Sequence, residues 1–73
     1  MPMLKSSAIL DSSAIQRVNY DARPRTLSVW FVGNRRPYHY LDVPESVYEE
    51  LVHADSAGGY FNNHVRDHYD FTH

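Results

Sequence analysis

The spacing of apolar residues changes period once along the chain, from about two to nearly four. Between Ala14 and Tyr20 the alternation is loose, with Ile15, Val18 and Tyr20 as apolar positions, and Ala22-Arg23-Pro24 ends the run. This predicts a strand with room for a bulge. Thr26 to Val32 alternates cleanly, placing Leu27, Val29 and Phe31 on one side and Ser28, Trp30 and Val32 on the other. Gly33-Asn34 supplies a turn, because both residue types tolerate positive φ. Pro37 to Asp42 then predicts a third strand, its proline beside the turn where a missing N–H does least harm to a ladder.

From Val43 the period lengthens. Val43-Pro44-Glu45 predicts a helix start, with proline near the first turn and a carboxylate at the positive end of the helix dipole. Val47, Leu51 and Ala54 share one face of that helix. Asp55-Ser56-Ala57-Gly58-Gly59 stops it, and Ser56 is placed to cap a second helix carrying Phe61, Val65 and Tyr69 at spacing four. The fold class expected is α+β: a three-stranded antiparallel meander followed by two short helices packed on one face. Met1 to Asp11 shows no sustained period, so residues 1–11 read as a flexible arm, 12–70 as a single domain and 71–73 as a frayed end. Ser6-Ser7-Ala8-Ile9 recurs as Ser12-Ser13-Ala14-Ile15, but four residues are too few for a structural repeat.

Composition narrows the class further. A chain of 73 residues has room for one domain, and 14% aromatic content lets rings supply much of a small core. There is no cysteine, which removes disulfides, thiolate metal sites and thiol nucleophiles and suits a reducing cytoplasm. No apolar run approaches the roughly 20 residues that span a bilayer, and Met1 to Leu10 lacks the apolar stretch of a signal peptide; no membrane role is expected. The net charge of −2 conceals an asymmetry. Residues 1–40 carry six basic side chains against two acidic ones, whereas residues 41–73 carry one against seven. If the two halves form separate surfaces, a polyanion is attracted to one and repelled by the other.

Candidate chemistry follows from rings beside arginines. Tyr38 and Tyr40 are one set of stacking candidates for bases of single-stranded RNA. A two- or four-residue hairpin loop instead sets them opposite Leu27, Val29 and Phe31, on the face the helices cover. On that register Trp30 lies on the open face, free to stack on a base or to pack against the arm or a second molecule. Arg23, Arg25, Arg35 and Arg36 lie in or beside two turns, where guanidinium groups grip phosphates or simply remain solvated. A meander puts those turns at opposite ends. Ser56 to Gly59 offers bare amides to an anion, or a capping serine in a tight interhelical turn. His64 and His68 stand four apart without an evident third ligand, so no metal and no cofactor is expected. No serine sits in a nucleophile elbow and no carboxylate pair is indicated by spacing, so the chain reads as a non-enzyme.

The ordered series Ser13, Ile15, Tyr20-Asp21, Leu27-Ser28-Val29-Trp30-Phe31, Tyr38-His39-Tyr40, Val43-Pro44, Ala54-Asp55-Ser56-Ala57-Gly58-Gly59-Tyr60-Phe61-Asn62, Val65-Arg66 and Tyr69 resembles the KTSC domain family over about Ser12 to Tyr69. That family takes its name from the C-terminal segment of some lysyl-tRNA synthetases, and its members also occur as small stand-alone bacterial and phage proteins. The N-terminal arm and the Arg35-Arg36-Pro37 turn depart from the pattern. The resemblance implies a small binding module. Two partners are expected on this basis: RNA or tRNA, met through the candidates Trp30, Tyr38, Tyr40, Arg23, Arg25, Arg35 and Arg36, or alternatively a protein, met without nucleic acid.

Overall fold

The computed structural model describes residues 5–10 and 12–73. Its order is β1 (Lys5–Ile9), β2 (Ile15–Asp21), β3 (Thr26–Phe31), β4 (Tyr38–Tyr40), α1 (Glu45–His53), α2 (Ala57–His64) and β5 (Phe71–Thr72). The α+β class is as expected, but the sheet has five antiparallel strands in the order β1-β2-β3-β4-β5 rather than three. Both additions fall where the pattern is weakest. Lys5 to Ile9, expected within a loose arm, pairs along β2 from Lys5 opposite Asp21 to Ile9 opposite Arg17. Phe71 and Thr72, expected to fray, pair with Tyr40 and His39. The rest of the expected arm, residues 1–4 and 11, lies outside the described residues.

The anticipated bulge sits in β2 between Ile15 and Arg17, where the register against β3 shifts. Two residues opposing one there let Ile15 point inward while Gln16 and Arg17 are both exposed. Ser12 prepares the strand, its hydroxyl accepting hydrogen bonds from the amides of Ala14 and Ile15 at 3.1 and 3.2 Å. The β3–β4 turn opens with the Asn34 amide donating to the Phe31 carbonyl at 3.0 Å, and Gly33 adopts φ of 90°. Positive φ at the third position of such a turn is why glycine stands there.

Leu27 pairs with Tyr40 and Val29 with Tyr38, so both tyrosines share the face of Val18, Tyr20, Leu27 and Val29. That face is the floor of the core, sealed by Val43, Tyr48 and Leu51 around α1 and by Ala57, Phe61 and Val65 around α2. Tyr48, absent from the helix face drawn by spacing, stacks on Tyr20 with centroids 5.5 Å apart. The Tyr20 hydroxyl donates to the Val43 carbonyl at 2.7 Å, which fixes the start of α1 against the sheet. Ser56 caps α2 as expected, accepting from the Gly59 amide at 3.1 Å. A Cβ on Gly58 would stand 3.2 Å from the Ala14 side chain, so the small residue lets the first turn of α2 approach the start of β2.

α2 is shorter than the spacing implied. It ends at His64, with Val65 at φ −120° and the Arg66 amide returning to the Phe61 carbonyl. Val65 is still buried, but Tyr69 lies beyond a turn rather than on the helix. The turn also separates His64 and His68: the first ring lies against Tyr60 and the second bonds the Asn63 carbonyl.

Leu51 is fully buried, and Leu51→Ala is expected to cost about 2–5 kcal/mol. The whole stability of a chain of 73 residues is of the order of 4–11 kcal/mol, so the loss is a large share of the total and a urea titration should find the variant's midpoint markedly lowered. A second test uses Tyr60, which donates to Glu50 Oε1 at 2.9 Å. Burial, then that hydrogen bond and the charge of Glu50, push its phenol up to about 12. The folded state therefore holds this proton more tightly than the unfolded chain, whose tyrosines titrate near pH 10. The resulting stability is complete below about pH 10 and is lost as pH rises through about 12. Urea midpoints at pH 9 and pH 11 should fall less for Tyr60→Phe than for the wild type.

Candidate nucleic-acid interface

The helices cover one face of the sheet and leave the other open. Alternation along the strands places Arg17 and Asn19 of β2, Thr26, Ser28 and Trp30 of β3, and His39 of β4 on that open face. Trp30 lies directly across from Arg17, whose guanidinium carbon sits 4.9 Å from the ring centroid. A cation over an indole is attracted by the ring's negative face, and the pairing holds Trp30 in place while the residue stays partly exposed. Ile9, Gln16, Arg17 and Trp30 enclose a shallow pocket of about 250 Å³. Ile9 is 85% exposed and Val32, continuing β3, 55%.

One strand-row away, Ser28 Oγ and His39 Nδ1 lie 2.7 Å apart in a hydrogen bond between paired residues of β3 and β4. Asn19 is the other cross-strand neighbour of Ser28. The open face thus carries a row of polar groups beside a row built on Trp30.

A second concavity lies on the helical side, where α2 meets β3, β4 and β5. It measures about 540 Å³ and is walled by Phe31, Tyr38, Tyr40, Phe61 and Phe71. Asn34, Asn62, Arg66 and Asp67 form its polar margin, with Ala14 at one corner. Phe31 meets Tyr38 and Phe61 edge-on, and Phe61 meets Tyr40 edge-on, all at 5.2–5.4 Å. Phe71 leans over Tyr38 and Tyr40 at 5.3 and 5.4 Å and is 50% exposed. Burial raises the Tyr40 phenol above its ordinary value, the neighbouring Tyr38 adds to the rise, and the positive charge of Arg66 opposes it.

The structure divides the seven residues singled out by sequence. Trp30 is on the open face. Tyr38 and Tyr40 are on the opposite side, Tyr40 being 3% exposed and Tyr38 half-buried in the wall of the groove. Arg35 and Arg36 are exposed in the β3–β4 turn, which also contributes Asn34 to the groove. Arg23 and Arg25 belong to the β2–β3 turn at the far end of the sheet, where the Arg23–Pro24 peptide is cis and Arg25, at φ 64°, pairs with Asp42 at 3.6 Å. These arginines do not form one patch. Arg17 escaped the sequence reading because its position depends on the bulge; alternation places Ser28 and His39 on the open face, but the bond between them escaped it because spacing names no cross-strand partner. Phe71 escaped it because the weak pattern near the chain end gave no sign of a fifth strand.

Comparison with known proteins agrees with this architecture. A family model described as the KTSC domain matches residues 11–69. The chain belongs to the KTSC domain family. This KTSC domain is 35% identical over 57 residues to a protein from Tsukamurella paurometabola, covering 78% of this chain and 84% of that one. It is 33% identical over 70 residues to a lysine–tRNA ligase from Nostoc punctiforme, which takes in 96% of the KTSC chain but only 12% of the ligase. The crystal structure of a KTSC domain protein from Yersinia pestis matches with a TM-score of 0.85 at 26% identity, over 93% of this chain and 94% of that one. Among the described residues no group of three or more metal-ligating side chains occurs, and no helix is long and apolar enough to cross a membrane.

Trp30 is the single tryptophan, so the emission reports on the surroundings of this one ring, the Arg17 contact among them. Arg17→Ala should change that emission and lower stability by about 0.5–1 kcal/mol, the value of a cation over a ring at an exposed site. Arg35→Ala should leave both unchanged.

Proposed function

We propose that this domain is a non-catalytic binding module that takes single-stranded RNA across the open face of its sheet. The observation that carries the reading is the Arg17–Trp30 pair on the uncovered face. A partly exposed indole offers a stacking surface to any base, and a guanidinium beside it meets the adjoining phosphate. Asn19 and His39 stand in the neighbouring row, within the reach of base edges and ribose hydroxyls. Likeness to a stretch of a lysine–tRNA ligase supports RNA as the partner class. Charge gives the approach a direction: Glu45, Glu49 and Glu50 are exposed on α1, on the covered side of the sheet, and repel a polyanion from the α1 part of that side.

Ser28 and His39 have the composition of a nucleophile and its base. Here Ser28 is 6% exposed, and among the described residues no carboxylate is bonded to the imidazole. The pair is better read as a cross-strand link that stiffens the open face.

A protein partner is the second reading, favoured by the exposed Ile9 and Val32 on either side of Trp30. Titrating Trp30 fluorescence with single-stranded oligoribonucleotides at two salt concentrations separates the two. RNA binding predicts quenching by stacking, with affinity falling as salt rises at about −0.7 in log–log slope per phosphate contacted. Trp30→Ala, followed with end-labelled RNA, should lose about 1–3 kcal/mol of affinity. Unchanged Trp30 emission at low salt overturns the RNA reading in favour of a protein partner.

A further inference from the structure

We infer that the aromatic groove between α2 and strands β3, β4 and β5 is a pocket for one unpaired nucleotide, its base laid on Tyr38 and its phosphate held by Arg66. The choice of a nucleotide as ligand rests on the RNA reading above; the pocket itself is a separate observation on the other side of the sheet.

Three features of the groove select this occupant. The first is size: about 540 Å³ lies within the range of roughly 300–1,000 Å³ typical of small-molecule sites. The second is the kind of wall. Tyr38 already carries a planar heterocycle, the His73 imidazole, stacked at 4.1 Å and 22°; His73 is not part of the groove's lining, but the stack shows that the Tyr38 ring takes a flat ring in parallel contact. Phe71, half exposed and tilted across Tyr38 and Tyr40, closes the stack from the β5 side. The third is the polar margin. Asn34 and Asn62 present carboxamides that are hydrogen-bonded to no other described residue, and paired donor and acceptor groups of that kind read base edges. Arg66 is exposed at the same margin and in no ion pair among the described residues. The lining itself carries one cation, Arg66, and one anion, Asp67, while the exposed Arg35 and Arg36 follow Asn34 on the adjoining turn. A lipid chain or an apolar peptide would use the rings and leave these cations and carboxamides without partners.

The groove is also placed to act with the open face. Trp30 and Phe31 are consecutive, one on each side of β3, and the turn bearing Arg35 and Arg36 follows directly. A strand stacked on Trp30 thus has a basic corner to pass around before a later base enters the groove.

Backbone amide and indole NMR shifts of the whole domain test this with three probes: adenosine 5′-monophosphate, ribose 5-phosphate and a short single-stranded RNA. The nucleotide should shift Tyr38, Asn62, Arg66 and Phe71 and leave the Trp30 indole unmoved, while ribose 5-phosphate should shift Arg66 at most. Phe71→Ala should weaken nucleotide binding about 5- to 150-fold, the loss of one stacking partner. Equal shifts from ribose 5-phosphate would reduce the site to an anion contact and overturn the proposal. So would groove shifts that grow with protein concentration before any probe is added, which would make a second copy of the chain the occupant. If the RNA moves Trp30 but the nucleotide moves nothing, the pocket fails and the open-face reading stands. If the nucleotide fills the groove while the RNA leaves Trp30 still, the pocket stands and the open-face reading fails.

Discussion

The contact on which the domain depends is the seam between one face of the sheet and two short helices. Neither α1, with nine residues, nor α2, with eight, is long enough to be stable alone in water, and a sheet with one oily face needs a cover. Each therefore exists because of the other. Rings do most of the joining: Tyr20 on Tyr48 at the α1 end, and Phe31 and Tyr40 on Phe61 at the α2 end. Large flat side chains suit this task in a small domain, since each buries much area for few frozen torsions. The Tyr20 hydroxyl adds direction by holding the Val43 carbonyl just before α1.

That seam also decides which surfaces remain for partners. Because both helices lie on one side, the reverse of β2, β3 and β4 stays open, and the rings that α2 does not fully cover become the walls of the groove. Tyr38 and Tyr40 show the gradation: adjacent on one face of a single strand, one is half-buried and the other 3% exposed. Three exposed glutamates, Glu45, Glu49 and Glu50, lie on α1, on the covered side, whereas the arginines are spread over both ends of the sheet and both of its sides.

Much of the fold was legible because its signals are local. The strict alternation of Thr26 to Val32 named both faces of β3, Gly33-Asn34 marked its turn, and Ser56 marked the start of α2. Loop parity was enough to put Tyr38 and Tyr40 on the covered face. What escaped was non-local. β1 has no pattern of its own and is a strand only because β2 offers a backbone to pair with; β5 has two residues and exists through Tyr40 and His39. The end of α2 was misjudged because Phe61, Val65 and Tyr69 keep helical spacing through a turn that is not helical. At the candidate interface, Trp30 was visible by type and parity. Its partner Arg17 was not, because the loose alternation of β2 leaves room for a bulge without fixing where it falls, and its place decides which side chains face outward.

The family match runs from residue 11 to 69, whereas the outermost strands occupy residues 5–9 and 71–72. A fragment trimmed to the match would strip both flanking strands and bare the hydrogen-bonding edges of β2 and β4. Such edges invite self-association. Stickiness in a shortened version would then reflect lost edge protection and say nothing about a natural partner.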